Sequence, residues 1–469
     1  MAGLLRFLLQ SQNLMKRLFF RTSLLLSLLI LFAKPLATEA RAQIPPPRFT
    51  KRSLLNGMEV FFLPGGARRS HFVLMVKNGA AFDPVGRWGA TYLMTRMILE
   101  RTQRRTGQQI RQDLEAIGAK LRFQVGWDAV FFYGSAPGDR IQDALNILSE
   151  VVVRPRFEKE IFEEVRQALV EEVENELLET ENRTQRLFLR QVFQHNPYAH
   201  SVKGDPETLK SLQLNDIRIQ YRKLFMPNQA QLALYQSGDL DRLFRSMGRE
   251  WGSWVRREPV PFTFRQAERP VRTQVVVFDH ASREALLRAG NLAVKKGSRE
   301  FYALKILEQY LTLLLPEWAK DVAAQKQIQA SFRLEARKMP GFFQFSIQAP
   351  APQLIAYLRR FREVMRRLQQ DGIDPARYRE AKELAFLDFK NSLESPPSRL
   401  FELLKANLYD LGISYIANYG ILIDRVRLPV FQAVLRKFFQ PDSSLIVVAG
   451  SASELATQLE AFGEVEVLK

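Results

Sequence analysis

The sequence predicts an α+β fold made of two homologous halves, each a mainly antiparallel sheet covered by helices on one face. Two observations support this prediction. Strand-like and helix-like segments come in blocks rather than in strict alternation, which is typical of α+β layers. Three pairs of segments also repeat at nearly one offset along the 469-residue chain, which indicates an internal duplication.

The clearest repeat is a basic and aromatic helix end that leads through a proline into an apolar strand. Residues 221–228 (YRKLFMPN) and 435–442 (LRKFFQPD) share this pattern, and their prolines stand 214 positions apart. Two further pairs keep that offset to within two residues: the segments that end a hairpin and begin a helix at 135–137 and 348–350, and the long helices Phe162–Leu178 and Tyr378–Glu394. We therefore predict two domains, 43–254 and 255–469, joined by a linker near residues 251–261 that contains Gly and Pro.

The first 42 residues are predicted to be an export signal. Three basic side chains lie within residues 16–21, and the apolar run Ser23–Ala33 that follows is short for a membrane span. Residues 40–42 (Ala-Arg-Ala) have the small-x-small pattern of a cleavage site before Gln43. We expect an exported, periplasmic bacterial protein. The alternative is an uncleaved signal, which would be the only means of membrane association.

Composition narrows the class of protein further. The chain has no cysteine, which excludes disulfides and thiolate metal sites. Its net charge is +18, and the basic residues are spread over many helices rather than gathered in one block. We favour a solvated, Arg-rich surface, with an acidic partner or a membrane face as the alternatives. Nucleic acid is not expected as a partner of an exported protein.

The most informative segment is Gly89–Met97, which opens a predicted helix shortly after the apolar strand His71–Ala80. Tyr92, Thr95 and Arg96 share one face of this helix, because positions i, i+3 and i+4 are neighbours there. None of the three is a histidine or a carboxylate. This face therefore carries no conventional metal ligand.

Several segments, in this order, resemble the pitrilysin or insulinase-type (M16) family of zinc peptidases, in particular its two-domain members similar to subunits of the mitochondrial processing peptidase. The matching segments are Asn56–Val60, Val76–Ala80 followed by Gly89, Asn196–Tyr198, Gly204-Asp205, residues 221–228 and Gly238-Asp239. The resemblance covers nearly all of the chain after residue 42. It implies the LuxS/MPP-like metallohydrolase architecture of that family.

In that family, a His-x-x-Glu-His helix holds zinc through its two His, its Glu activates water, and a Glu on a later helix is the third ligand. By this resemblance the first His is matched by Tyr92, the general-base Glu by Thr95, the second His by Arg96, and the third ligand by Glu172. Only Glu172 has retained a ligand type, and one carboxylate cannot hold catalytic zinc. The resemblance therefore implies degenerate positions, no catalytic residue, no metal and no other cofactor.

The cation at position 96 suggests what replaces the metal. A fixed positive charge at the metal-binding position repels a divalent cation. We predict that Arg96 pairs with Glu172 and cross-links the two helices. The alternative is that Glu171, Glu172 and Glu174 form a solvated helix face.

The leading functional hypothesis is a non-catalytic homologue, the inactive subunit of a heterodimeric zinc peptidase that shapes the chamber and selects peptide or unfolded-protein substrates. Its partner would be a catalytically active M16-family subunit. The alternative is a structural, assembly or peptide-binding scaffold that self-associates without a peptidase partner. An enzyme with other catalytic residues is the third hypothesis, although no Gly-x-Ser-x-Gly turn and no glycine-rich phosphate loop occurs in the sequence.

Overall fold

Two six-stranded sheets organise the chain. The computed structural model describes residues 44–280, 282, 284–322, 329–370 and 372–468, with the backbone alone at 317–322. The predicted export signal lies outside the described residues. Residues 44–469 form one compact unit. Within the described part, no helix combines the length and the apolar character that crossing a bilayer requires.

The strands of the first sheet lie in the order β1-β2-β6-β3-β5-β4 and those of the second in the order β12-β7-β11-β8-β10-β9. In each sheet most neighbours pair antiparallel, and the pairs β2–β6, β7–β11 and β7–β12 are parallel. The strands are β1 Thr50–Ser53, β2 Glu59–Pro64, β3 Arg69–Lys77, β4 Lys120–Val125, β5 Ala129–Pro137, β6 Ala230–Gln236, β7 Gln274–Asp279, β8 Ala285–Leu292, β9 Gln329–Glu335, β10 Phe342–Ala349, β11 Leu445–Gly450 and β12 Glu464–Leu468.

The described part of the chain also has 15 α-helices. They are α1 Ala90–Glu100, α2 Gly107–Ala116, α3 Ile141–Val153, α4 Lys159–Leu178, α5 Thr180–Phe193, α6 Pro206–Ser211, α7 Leu214–Leu224, α8 Leu240–Trp251, α9 Phe301–Val322, α10 Ala351–Gln370, α11 Pro375–Asn391, α12 Pro396–Leu408, α13 Ser414–Arg425, α14 Leu428–Phe438 and α15 Ala452–Leu459.

The two sheets share one topology. Strands β2 to β6 occupy the same places in the first sheet as β7, β8, β9, β10 and β11 occupy in the second. Only the outermost strand differs, since β1 comes from the beginning of the first half and β12 from the end of the second. The predicted α+β fold with two homologous halves is thereby confirmed.

The extended segment 252–273 connects the two halves, and two of its aromatic rings pack on the first half. Phe262 and Phe264 contact Phe82, with ring centroids 5.6 and 5.1 Å apart. The predicted domain limit between residues 254 and 255 falls in this segment. That limit stays a prediction, because both halves belong to one compact unit.

Each sheet is also covered on its second face, by one helix of the opposite half, which the sequence did not reveal. In the first sheet, side chains alternate between the two faces with the period of two that a strand imposes. Phe62, Leu74 and Phe132 pack under the helices of their own half. Those of the other face pack against α12 of the second half: Phe61, Leu63, Val73, Met75, Ala129, Phe131 and Ala233 against Leu400, Leu403, Leu404 and Leu408.

The reciprocal contact is made by α5. Its Phe188 and Phe193 lie against Phe342 of the second sheet, at ring-centroid distances of 5.8 and 6.1 Å. Gly290 in β8 permits this approach, because a Cβ there would lie 2.9 Å from the Phe188 ring and 2.0 Å from the carbonyl oxygen of Phe343. Each half therefore covers the sheet of the other half with one helix, and hydrophobic side chains of both halves pack together.

We expect Leu404→Ala to lower the free energy of unfolding by about 2–5 kcal/mol, because it leaves a cavity between α12 and the first sheet. Leu404 is fully buried. The measurement is urea denaturation. The matched control is Leu387→Ala on α11, where the side chain is 37% exposed and the expected change is within about 0.5 kcal/mol. Equal losses for both variants would contradict the shared core.

Candidate functional site

Helix α1, which carries the predicted site residues, is fixed at its amino end by a buried carboxylate. Asp83 accepts hydrogen bonds from the backbone N–H groups of Gly89 at 2.8 Å and Thr91 at 2.9 Å. Burial raises the pKa of Asp83, and the charge of His200 and these hydrogen bonds oppose the rise. Gly89 is left-handed at φ 92°, and a Cβ there would lie 2.6 Å from the carbonyl oxygen of Lys203. A glycine is therefore required where the helix begins.

The structure places the three predicted positions of this helix in different surroundings. Tyr92 and Arg96 are half-buried, whereas Thr95 is fully buried. The Thr95 hydroxyl donates to the carbonyl oxygen of Thr91 at 2.7 Å, so its hydrogen bond stays within the helix. The ring of Tyr92 packs edge-on against Phe123, at 5.7 Å between centroids. These side chains fill the site by packing and offer no open position for a metal.

Arg96 and Glu172 are brought together by the structure. Nη1 of Arg96 lies 2.6 Å from Oε2 of Glu172, which projects from α4. The second oxygen of the same carboxylate, Oε1, lies 2.6 Å from Nζ of Lys203. Each oxygen of Glu172 is therefore bound by its own cation. Lys203 also stands 5.6 Å from the ring centroid of Tyr92, so all four side chains meet at one place.

The ion pairs continue beyond Glu172 in an alternating row. Lys203 also pairs with Glu176, one turn further along α4. Glu176 in turn lies 3.6 Å from Arg186 on α5, and Arg186 lies 3.0 Å from Asp205. Three cations and three carboxylates thus connect α1, α4, α5 and the segment before α6. The opposite charges balance, which is the arrangement expected of a structural cross-link.

The neighbouring glutamates of α4 match the alternative of a solvated face. Glu171 accepts a hydrogen bond from Gln167 at 2.8 Å, and Glu174 pairs with Lys210 at 2.7 Å; both contacts are at the exposed surface. The prediction and its alternative thus apply to different residues of one helix.

The charge of Glu172 is stabilised by its partners. Burial acts to raise the pKa of this carboxyl, but the hydrogen bond and charge of Lys203, and then the charge of Arg96, outweigh it and hold the pKa below its ordinary value. Burial likewise acts to lower the pKa of Lys203, and its hydrogen bonds to Glu172 and Glu176 raise it instead. Both groups are therefore charged at neutral pH.

We expect Glu172→Gln to reduce stability at neutral pH, with a difference from the wild type that shrinks as the pH falls. The folded pKa of Glu172 is depressed, so its contribution is present above the unfolded value of about 4.3 and is lost as the pH falls through the folded pKa. The side chain is 36% exposed, so solvent screening limits the difference to about 1 kcal/mol or less. The measurement is urea unfolding of both proteins from pH 7 downwards. Glu174→Gln, at an exposed pair, is the control with a smaller expected effect. A difference independent of pH would contradict the assignment.

Zinc, the metal of the peptidase family that the sequence resembles, does not fit these residues. Tyr92, Thr95 and Arg96 supply neither imidazole nor carboxylate, whereas a catalytic zinc takes three such protein ligands and one water. The remaining ligand-type residue, Glu172, has both oxygens occupied by fixed cations. Across the described residues, no group of three His, Cys, Asp or Glu side chains is arranged to hold a metal. No hydrolytic step through a metal can be assigned to this site.

Lys203 is the site residue that sequence reasoning missed. It lies in a loop, 31 positions after Glu172, and no helical or strand spacing links the two. The only available signal was that Lys203 directly precedes Gly204-Asp205, one of the segments that carry the family resemblance. The loop is positioned by Gly204, where a Cβ would lie 2.3 Å from the carbonyl oxygen of Trp88, just before α1.

The fold and the site define a class: two sheets of one topology, with an ion pair between α1 and α4 at positions where the sequence resemblance implies metal ligands. Comparison with known proteins agrees. The family model described as insulinase, peptidase family M16, matches residues 65–205, from just after β2 to just before α6. This range includes Tyr92, Arg96, Glu172 and Lys203. Over these residues the chain is similar to the M16 family, as the sequence resemblance implied.

Individual relatives are distant. The probable mitochondrial-processing peptidase subunit beta of Arabidopsis thaliana is 22% identical over 179 residues, 37% of this chain and 33% of that protein. The chain thus spans about a third of the length of this curated relative. A protease from Helicobacter pylori superposes with a TM-score of 0.78 at 15% identity, covering 86% of this chain and 99% of that one. The peptidase M16 inactive domain of Pseudomonas fluorescens gives 0.76 at 16% identity, covering 86% and 98%. The two structures show the shared fold.

Proposed function

We propose that this protein is a non-catalytic M16 homologue that serves as the inactive subunit of a heterodimeric zinc peptidase. The observation that supports the proposal is that Arg96 and Lys203 each pair with one oxygen of Glu172, the residue that the resemblance matches to the third metal ligand. Ion pairs at this position hold the helices in place but supply no group for metal-dependent hydrolysis. In this role the chain forms part of the chamber wall, takes part in selecting peptides or unfolded proteins, and stabilises its partner.

The names of two similar proteins support the proposal, one for the assembly and one for the loss of catalysis. The Arabidopsis relative is named as a subunit, and the Pseudomonas structure is named as an inactive domain. The partner proposed here is a chain with an intact His-x-x-Glu-His helix, which supplies the metal and the general base. Both chains are proposed to act in the periplasm, as the amino-terminal segment of this sequence predicts.

The test is reconstitution with a candidate partner from the same organism. Zinc content and hydrolysis of a broad peptide set are measured for this chain, for the partner and for the mixture. We expect zinc and activity to depend on the partner's motif, and full activity to require both chains. Full activity of the partner alone would count against the proposal, and so would one tightly held zinc in this chain alone.

Paired substitutions identify which pocket is catalytic. Replacing the general-base Glu of the partner by Gln should abolish hydrolysis by the mixture. Arg96→Gln in this chain should leave the rate within about two-fold, because the side chain serves structure and not chemistry. If this chain instead forms a stable homodimer and does not associate with the partner, the scaffold alternative is supported.

A further inference from the structure

A large cavity lies beside the inter-half linker, and its residues are far along the chain from those of the ion-paired site. Its volume is about 1130 Å³, which exceeds the roughly 300–1,000 Å³ common for small-molecule sites. Its walls come from the linker, from residues 295–299 after β8, from the turn between β9 and β10, and from α13 with the segment before it. All of these residues belong to the linker or to the second half, and the linker rings Phe262 and Phe264 also pack on the first half.

The charge of this cavity is strongly one-sided. Its lining contains five cations, Lys295, Lys296, Arg299, Lys338 and Arg425, and one carboxylate, Asp410, which gives a net charge of +4 from five minus one. Among the described residues, none of the five cations has a carboxylate within ion-pairing distance. This contrasts with the site on α1, where every cation is matched.

The partly buried cations of the cavity rest on aromatic rings instead. Nζ of Lys296 lies 5.0 Å from the ring centroid of Tyr409, and Nζ of Lys338 lies 5.0 Å from that of Phe262. Such contacts hold an ammonium group in place without neutralising its charge. Lys295, Arg299 and Arg425 are exposed. The positive charge of the cavity is therefore available to a ligand.

Apolar side chains are also presented to the cavity. Ile421 on α13 is 39% exposed and Val430 on α14 is 49% exposed, and both line it. A ligand that carried only charge would leave these two side chains in water. The complementary ligand therefore combines several negative charges with apolar groups.

We propose that this cavity binds acidic peptide segments that also carry apolar side chains. The cations belong to three separate segments of the chain, at 295–299, 338 and 425, rather than to one turn around a single anion. Carboxylates spaced along an extended chain can meet such a distribution, and the intervening apolar side chains can meet Ile421 and Val430. The inference rests on the proposed function and deepens it, since it names the class of peptide that this subunit selects.

The experiment is fluorescence anisotropy with the full chain and a labelled peptide of alternating Glu and Leu. We expect saturable binding that weakens with added salt, because the cavity cations are solvent-accessible. A peptide with Gln in place of every Glu should bind at least about ten-fold more weakly, since it loses every charge contact. Equal binding of the two peptides would overturn the proposal.

Two matched triple variants distinguish binding in the cavity from attraction to the net positive charge of the protein. Lys295→Gln, Arg299→Gln and Arg425→Gln remove three exposed cations of the cavity, and we expect a loss of affinity of about ten-fold. The control removes three exposed cations elsewhere, through Arg68→Gln, Arg222→Gln and Arg249→Gln, and should stay within about two-fold. Equal losses would assign binding to the net charge and overturn the proposal.

A competing ligand class is tested with ATP. If ATP binds more tightly than the Glu peptide and the cavity variant loses this binding, the cavity is assigned to phosphate compounds and the proposal is overturned as well.

Failure of this inference can be told from failure of the proposed function. Peptide binding is measured on this chain alone, and activation is measured on the mixture with an uncharged peptide substrate. Activation without acidic-peptide binding overturns only the cavity assignment. Acidic-peptide binding without activation overturns only the role as a peptidase subunit.

Discussion

Zinc binding is expected to appear when Tyr92→His, Arg96→His and Lys203→Met are combined in this chain. Positions 92 and 96 are one helical turn apart on one face, and Glu172 already faces position 96 at 2.6 Å. Two imidazoles and Glu172 then supply the three protein ligands of a catalytic zinc site. The expected result is about one zinc per molecule by elemental analysis, against close to none for the wild type.

The contribution of Lys203 is tested by comparing the triple variant with a double variant that keeps Lys203. With only Tyr92→His and Arg96→His, the ammonium group of Lys203 still holds one oxygen of Glu172 and repels the incoming ion. Two unit charges 4 Å apart interact by about 4 kcal/mol at an effective dielectric constant of 20. This exceeds the 1.4 kcal/mol that corresponds to a tenfold change in affinity. We therefore expect the triple variant to bind zinc at least about ten-fold more tightly than the double variant.

Controls for the zinc experiment follow from the same contacts. Adding Glu172→Gln to the triple variant should abolish tight binding, because it removes the anionic ligand. Lys210→Met, at an exposed pair with Glu174, should not substitute for Lys203→Met. Equal zinc affinity of the double and triple variants would show that Lys203 does not obstruct the site. A wild-type chain that purifies with one zinc would refute the assignment altogether.

The fold could be predicted largely from local signals. The apolar strands and the long helices are patterned locally, and their repetition at one offset exposed the duplication. The strand predicted at His71–Ala80 is β3, and it ends at Lys77 because Asn78 takes a left-handed conformation at φ 73°. The next residue, Gly79, approaches another segment closely, because a Cβ there would lie 2.1 Å from the carbonyl oxygen of Gly126.

The features that escaped prediction depend on contacts between segments distant in sequence. Lys203 reaches Glu172 from a loop, and α12 reaches the first sheet from the opposite half. Periodicity shows that a helix has an apolar face, but it does not show which sheet that face covers. The unusual residues of α1 could be recognised from the sequence because Tyr92, Thr95 and Arg96 share one helical face, which is a local property.

The largest loss of stability from a single charged residue is expected for Arg337→Ala, at the contact between the two halves. Arg337 lies in the turn between β9 and β10 and is only 5% exposed. Its guanidinium carbon stands 3.8 Å from the ring centroid of Trp127 and 5.1 Å from that of Tyr198, both in the first half. Its Nε donates to Glu335 at 2.6 Å. A turn of the second half thus packs among aromatic side chains of the first half.

A buried carboxylate adds to the effect of this substitution. Asp128 accepts hydrogen bonds from the Tyr198 hydroxyl and, at 3.2 Å, from the backbone N–H of Lys338. Burial raises the pKa of Asp128, while these hydrogen bonds and the charge of Arg337 oppose the rise. Removal of the guanidinium takes away a favourable charge beside a buried carboxylate and leaves a void between the aromatic rings.

We expect Arg337→Ala to lower the free energy of unfolding by about 3 kcal/mol, the range for breaking a buried pair together with a desolvated cation–π contact. Arg333→Ala is the matched control, because Arg333 also pairs with Glu335, at 3.0 Å, but is 63% exposed, and its loss should cost about 1 kcal/mol or less. Arg337→Lys keeps the charge but not the planar stacking on Trp127, so an intermediate loss is expected. The measurement is urea denaturation followed by circular dichroism. If Arg337→Ala and Arg333→Ala cost the same, the guanidinium does not join the halves, and their association then depends on their other contacts, among them those of α5 and α12.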